Sequence, residues 1–470
     1  VRPKYELIII GGGPGGYTAA IRAAQYGLKT ALIEERELGG TCLNRGCIPT
    51  KALLHTAELY RSAEQEFADL GLSIKDLNYD AAAVYRYKDR VVEQLRGGVA
   101  QLLKGNQVDH YPAHGRIKGP GLVLAGEEEL ETEHILIASG SVPSLPPIPG
   151  IDSPGVITSD ELLTAQTILR DGQLPGRITI IGGGVIGCEF AGVFGSLGSR
   201  VTIVEALDRL VPTADKDISQ NLAQIMKKRG VAVHTSATVQ AIQTGPEGLI
   251  CRFAGKSGEQ QAISDIILVS TGRRANTAGL LADGFTLASH RGQLAVDAQF
   301  RTSVPGVYAI GDVIGGIQLA HKAEAEGQAA AAFIAGQPMH ARLDLVPSCI
   351  YTDPEIGCVG LTEAEAKEQG REVKVGKAMM SANGKSLIAG AERGFIKLVF
   401  DAETTVILGA SLMCCRATDM ISELTLAIAE RLTIGDLAAI IRPHPTFNEA
   451  VTEAVEAAVD MAIHALPRRR

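Results

Sequence analysis

Short continuous apolar runs alternate along the chain with longer amphipathic stretches, a pattern of strands buried in a parallel sheet and covered by helices. Tyr5-Glu6-Leu7-Ile8-Ile9-Ile10 is the first such run, and Lys29-Thr30-Ala31-Leu32-Ile33-Glu34 is the second, with an alanine-bearing helical stretch between them. Leu7 to Glu34 superposes on Ile178 to Glu205 without gaps, at a constant offset of 171. Between the two copies, residues 55–104 read as mostly helical, ending near Gly105, and Val108–Leu124 as β-rich. Glu127 to Glu133 is acidic enough to read as a solvated turn, and His134–Gly140 returns to a buried strand ending in small residues. The proline-rich stretch Pro143 to Gly150 reads as a domain boundary. Beyond the second copy, Ile266–Val269 and Val307–Ile310 are further apolar strands. From about Leu343 the character changes: strand-like Gly394–Phe400 and Val406–Met413 alternate with helical Glu363–Glu368 and Ala417–Arg431. The pattern predicts an α/β fold with two Rossmann-like dinucleotide-binding domains followed by a C-terminal α+β domain.

Composition narrows this picture. A chain of 470 residues has room for roughly three domains. Hydrophobic residues at 46% and charged residues at 21% describe an ordinary globular protein. A net charge of −8 argues against nucleic acid as a partner, because a phosphate-binding face must be basic. Arg468-Arg469-Arg470 is a short basic run and reads as a solvated tail. No apolar run reaches the roughly 20 residues that span a bilayer, so membrane insertion is not expected. No signal peptide is read at the N-terminus, since Glu6–Ile10 is already a strand. A cytoplasmic location is expected, or an organelle interior if a transit segment has been removed.

The repeated unit carries chemistry. Gly11, Gly13 and Gly16 stand at G-x-G-x-x-G spacing between strand and helix, and Gly182, Gly184 and Gly187 repeat them. The first glycine permits a tight turn, the second lets backbone approach a pyrophosphate, and the third lets helix pack on strand. Glu34 and Glu205 end the second strand of each copy, where a carboxylate accepts hydrogen bonds from a ribose. At the second site that carboxylate selects NAD, because it would repel the 2′-phosphate of NADP; Arg200 and Arg209 lie close by in sequence. Two complete units imply two dinucleotides.

Eight cysteines are too few for a disulfide framework, and none has zinc spacing, so no metal site is expected. Cys42 and Cys47 stand out, in Gly39-Gly40-Thr41-Cys42-Leu43-Asn44-Arg45-Gly46-Cys47-Ile48-Pro49-Thr50-Lys51. In a regular helix their Cα atoms would be ~7.5 Å apart along the axis, beyond the ~7 Å within which a disulfide closes. If the sulfurs pair, the backbone near Gly46 must leave ideal helix, and a glycine permits that. Spacing alone fits two ordinary buried thiols equally well.

Two other stretches have double readings. Asp312 follows the apolar strand in Val307-Tyr308-Ala309-Ile310-Gly311-Asp312 and suits either polyol hydroxyls or a helix N-cap. His444 lies between Pro443 and Pro445, with Glu449 five positions on. Glu449 can hold one ring nitrogen and leave the other as a base, yet a structural histidine in a turn also fits.

Taken together, the cysteine stretch, the doubled units, Gly311-Asp312 and His444…Glu449 resemble the FAD-dependent pyridine nucleotide–disulfide oxidoreductases over essentially the whole chain. The cysteine stretch and Leu319-Ala320-His321-Lys322-Ala323…Glu326-Gly327 are most similar to the branch that oxidises protein-bound dihydrolipoamide. Glutathione and mercuric reductases share the cysteine pair but usually prefer NADPH. The resemblance implies FAD at Gly11, Gly13, Gly16, Glu34, Gly40, Thr41, Ser139, Gly140 and Asp312, and NAD at Gly182, Gly184, Gly187, Glu205 and Gly272. It implies a Cys42–Cys47 redox disulfide, with Cys42 facing the substrate and Cys47 the flavin, Lys51 paired with Glu189 near the flavin ring, and His444 with Glu449 as the base. It further implies domains at 1–149 (FAD), 150–272 (NAD), 273–343 (completing the FAD site) and 344–470 (dimerisation), a homodimer, and a lipoyl-bearing protein as partner. Ser139 replaces the family's usual threonine, and Met413-Cys414-Cys415-Arg416-Ala417-Thr418-Asp419 departs from the usual Gly-Pro segment. Cys414 and Cys415 are expected to be reduced. Another small-thiol reductase and a chiefly structural subunit of a multienzyme complex are the competing readings; the second leaves Cys42, Cys47, Lys51 and His444 without a role.

Overall fold

The computed structural model describes residues 2–466, so the Arg468-Arg469-Arg470 run lies outside the described residues. Strands β1 (Lys4–Ile10) and β2 (Thr30–Ile33) are joined by helix α1 (Pro14–Gln25). Leu7, Ile8 and Ile9 are wholly buried, since both faces of a parallel sheet are covered. The first sheet runs Asp109–Tyr111, β2, β1, Glu128–Ile137, Leu122–Ala125, Gly115–Gly119, with Val307–Ala309 also parallel to Glu128–Ile137. The second is wholly parallel: Ala232–His234, Arg200–Val204, Arg177–Ile181, Ile266–Val269, Val156–Thr158. Leu7 pairs with Thr30 in the first sheet and Ile178 with Val201 in the second, so the repeat preserves strand register.

The structure corrects two expectations. Glu127 to Glu133 is not a turn, because Glu128–Ile137 is one continuous strand. Its first half pairs antiparallel with Leu122–Ala125, burying Leu130 and Thr132 while the glutamates face outward. The period-2 alternation was masked by the number of acids. The helical reading of 55–104 breaks in the middle: helix α2 (Gly40–Arg45) is followed by α3 (Cys47–Gln65) and α4 (Ala81–Gly105), with irregular chain from 66 to 80. The Asp80 side chain restarts the helix by accepting from the Ala83 amide.

The C-terminal region is a five-stranded antiparallel sheet ordered Ser348–Ile350, Glu355–Gly360, Ile407–Cys414, Phe395–Asp401, Val373–Met379. The helices Ala417–Ala429 and Glu449–Ala457 close its core through Ile421, Leu424, Val451 and Val455. Lys397, only 5% exposed, meets Asp215 at 3.1 Å and Glu363 at 3.1 Å, tying the second parallel sheet's domain to this one. Among the described residues no helix is long and apolar enough to cross a membrane.

Candidate active site

Both glycine turns open into one cavity of about 1680 Å³, larger than the ~300–1,000 Å³ of an ordinary ligand pocket. Gly11 and Gly182 have φ of +109° and +110°, conformations that favour glycine. A Cβ at Gly16 would lie 1.8 Å from the Gly11 carbonyl oxygen, and one at Gly187 2.1 Å from that of Gly182. By contrast, a Cβ at Gly184 would enter open space, and no side chain caps α1 or the helix Val185–Ser196. Uncapped amides facing a cavity suit a pyrophosphate. The cradle therefore fits two dinucleotides.

The two terminal acids are held identically. Glu34 accepts from the Gly12 amide at 2.7 Å and the Arg36 amide at 2.8 Å; Glu205 accepts from Gly183 at 2.5 Å and Leu207 at 2.7 Å. A carboxylate has about four lone-pair positions, so each acid keeps acceptor capacity for ribose hydroxyls. Arg200 starts the strand that Glu205 follows, at its opposite end, and Arg209 donates to the Pro212 carbonyl at 3.1 Å. Glu205 lines the cavity and neither arginine does.

The cysteines sit where the helix breaks. Cys42 belongs to α2 and Cys47 opens α3, with Gly46 between them at φ −146° and ψ −111°. The expected departure from helix is there, and a Cβ at Gly46 would lie 2.9 Å from the Thr41 carbonyl oxygen. Asn44 braces α2 by donating to the Leu38 and Gly40 carbonyls at 2.9 and 3.0 Å. Cys42 and Cys47 are unbonded thiols in hydrogen-bond contact. That contact pulls the Cys47 thiol down to about 7; burial and Glu189 oppose this, while Lys51 assists it. The same contact, with burial, pushes Cys42 up, so the shared proton belongs on Cys42. A cysteine at the first position of a helix also gains from its dipole. Cys414 and Cys415 are unbonded too.

Lys51 lies one helical turn beyond Cys47. Its ammonium donates to both Glu189 oxygens, at 3.0 and 2.8 Å, and sits 4.5 Å from the centroid of the Tyr351 ring. Glu189 is 3% exposed and also accepts from the Tyr351 amide at 2.9 Å. Asp312 is not an N-cap: it lies inside the 3-10 turn Gly311–Ile314 and accepts from Ser141 Oγ at 2.5 Å. Arg273 donates to Ser141 Oγ at 2.8 Å and to Thr41 Oγ1 at 3.4 Å. Glu326, 3% exposed, accepts from the Gly311 amide at 2.8 Å, giving the Leu319–Gly327 stretch a structural purpose. Ser139 donates to the Asn276 carbonyl at 2.7 Å, while Gly140 and Gly272 line the cavity with Gly13 and Gly40. Tyr351 and Ser141 carry no sequence motif; Arg273 closes Ser270-Thr271-Gly272-Arg273, which follows an apolar strand, and Glu326 lies in Leu319–Gly327, but neither stretch by itself points to these contacts.

His444 and Glu449 are in contact, Nδ1 to Oε1 at 2.8 Å, and Glu449 Oε2 accepts from the Thr446 amide at 2.8 Å. Burial pushes the Glu449 carboxyl up, but the Thr446 amide and His444 outweigh it and lower it. Neither residue lines the cavity, and the His444 side chain is 79% exposed. One chain brings Cys42, Cys47, Lys51, Glu189 and both dinucleotide turns together, and leaves the histidine outside.

Residues 5–327 match the family described as pyridine nucleotide-disulphide oxidoreductase, and residues 346–455 its dimerisation domain. A dihydrolipoyl dehydrogenase of Bacillus subtilis is 42% identical over 98% of this chain and 99% of its own. The mitochondrial dihydrolipoyl dehydrogenase of Pisum sativum is 39% identical over 98% and 92%. Among solved structures, the HOCl-induced flavoprotein disulfide reductase of Escherichia coli covers 96% of this chain and 99% of its own, with a TM-score of 0.85 and 30% identity. The chain belongs to the pyridine nucleotide-disulphide oxidoreductase family.

Proposed function

We propose that this family member is a dihydrolipoyl dehydrogenase, oxidising protein-bound dihydrolipoamide to lipoamide and reducing NAD⁺ to NADH. The observation that carries the reading is the cysteine pair lying in one cavity with both dinucleotide turns; the dihydrolipoyl dehydrogenases that match nearly the whole chain supply the substrate. FAD would be held by Gly11, Gly13, Gly16, Glu34, Gly40, Thr41, Ser139, Gly140 and Asp312, and NAD by Gly182, Gly184, Gly187, Glu205 and Gly272. When bound, FAD supplies two-electron transfer between dithiol and nicotinamide. Residues 1–149 and 273–343 form the flavin part, 150–272 the nicotinamide part and 344–470 the interface.

The chain's own residues carry the thiol chemistry. In the oxidised enzyme Cys42 and Cys47 are joined. A substrate thiol gives its proton to His444 of the partner subunit, whose ring Glu449 orients, and the thiolate attacks Cys42. The Cys42–Cys47 bond breaks and Cys47 leaves as a thiolate. The Lys51 charge, which favours the Cys47 thiolate, makes Cys47 the better leaving group at this step. The second substrate thiol then displaces Cys42, releasing the cyclic disulfide and leaving both cysteines reduced. Lys51 and Glu189 set the charge beside Cys47. Two copies are needed because His444 does not line its own chain's cavity; Leu426, Ile441 and Met461, all more than 60% exposed, give that interface an apolar surface. The working location is the cytoplasm, or an organelle interior.

Steady-state turnover of lipoamide, glutathione and mercuric ion with NADH and NADPH tests the reading. Lipoamide with NADH should exceed every other pair by at least ten-fold. A preference for another disulfide or for mercuric ion, or no flavin absorbance in the purified protein, overturns it.

A further inference from the structure

We infer that Glu423 is the positioning residue that aims His444, by clamping the chain on both sides of it to a rigid helix. This rests on the reading of His444 as the base. Glu423 projects from the helix Ala417–Ala429, whose neighbouring Ile421 and Leu424 are buried in the C-terminal core, so its backbone is fixed. One carboxylate oxygen accepts from Arg442 Nη2 at 2.5 Å and the other from Asn448 Nδ2 at 3.0 Å. Arg442 lies two residues before His444 and Asn448 four after it. Both struts of the loop therefore end on one carboxylate.

Details around the loop favour orientation over simple surface pairing. The Arg442 side chain is 4% exposed, where the histidine it precedes is 79% exposed. Its other terminal nitrogen donates to Thr452 Oγ1 at 2.8 Å and the Leu437 carbonyl at 3.3 Å, joining the loop to the helix Glu449–Ala457. Asn448 begins that helix, yet its side chain makes no cap bond and turns to Glu423 instead. Asparagine normally caps a helix there, so a capping interaction has been given up for the strut. Asn383 adds a third hold, donating to the Thr446 carbonyl at 3.0 Å. Glu449 fixes the ring relative to the loop; Glu423 fixes the loop relative to the protein.

Misplacing a reacting group by about 1 Å costs on the order of 100-fold in rate. Glu423→Ala holoenzyme should lose at least ten-fold in kcat for dihydrolipoamide oxidation. NADH–ferricyanide turnover, which needs no thiol base, should stay within two-fold of the parent. Glu423→Gln, which keeps an acceptor for Arg442, should recover part of the loss. In a His444→Gln background the Glu423→Ala change should add nothing, the non-additivity expected of residues acting through one group. Should Glu423→Ala fail to fold, Asn448→Ala removes one strut without stranding a charge and should show the same split. Equal losses in both activities, no loss of dihydrolipoamide turnover, or full additivity with His444→Gln overturns the inference. If His444→Gln alone leaves dihydrolipoamide turnover intact, the base assignment falls first and this inference with it.

Discussion

The two dinucleotide units share strand register, glycine conformations and the same pair of amide–carboxylate bonds, yet one helical position separates them chemically. Thr18 in the first unit donates back to the Pro14 carbonyl at 2.6 Å and is satisfied within its own helix. Its counterpart in the second unit, Glu189, reaches across to Lys51 and the Tyr351 amide. The repeated scaffold is therefore a matter of backbone geometry. The difference in chemistry comes from a single side chain facing the other domain, beside the cysteines. A buried carboxylate survives there because Lys51 and a backbone amide share its charge.

The largest test of this comparison is to break each scaffold in turn. Gly16→Ala and Gly187→Ala place a methyl about 2 Å from a carbonyl oxygen, a clash worth roughly 3 kcal/mol or more. Gly16→Ala should yield protein without flavin absorbance. Gly187→Ala should keep the flavin and lose about 100-fold in NAD affinity by calorimetry, some 2.7 kcal/mol. Loss of flavin from Gly187→Ala would mean that the units are not independent.

The side-chain difference is tested by thiolate titration of the reduced protein in the ultraviolet. Cys47 is thiolate above about pH 7 and takes up a proton as the pH falls through that value. Cys42→Ala removes its first support and should move the midpoint up by about one unit, roughly 1.4 kcal/mol. Glu189→Gln removes a charge that opposes the thiolate and should move it down. Opposite signs are the expected result; a common sign would sink this account of Glu189.

The smallest effect concerns nicotinamide choice. Glu205→Gln should weaken NAD binding about ten-fold, the worth of one hydrogen bond to a charged group. Arg200→Met should change the NAD to NADP preference by less than two-fold, because Arg200 stands at the far end of its strand. A larger shift would give Arg200 a place in the site that the fold denies it.

How much of this was legible differs from element to element. The first two strands of each repeated unit and two strands of the C-terminal sheet, Phe395–Asp401 and Ile407–Cys414, are legible within a residue or two, since apolar runs leave few alternatives, whereas its short strands Ser348–Ile350, Glu355–Gly360 and Val373–Met379 are not. The acidic strand Glu128–Ile137 was missed because its inward positions are only Leu130 and Thr132 before the apolar half begins. The glycine turns are legible by spacing, while Cys42, Cys47 and Lys51 take their roles from the family resemblance, since spacing alone leaves the cysteines open to an ordinary reading. Arg273, Ser141 and Glu423 are legible by neither, because a buried polar contact between distant segments leaves no period and no local motif.

The chain by itself determined that there are two dinucleotide units in one register, and that the backbone must break near Gly46 for two thiols to meet. Both follow from local geometry: positive-φ glycines, strand period and helical rise act within a few residues. Which cysteine holds the proton, what Glu189 faces, and that His444 lies outside the lining of its own chain's cavity were decided only by tertiary structure. Those properties depend on the charges and hydrogen-bond donors of segments up to hundreds of residues away, and packing alone brings such segments within reach.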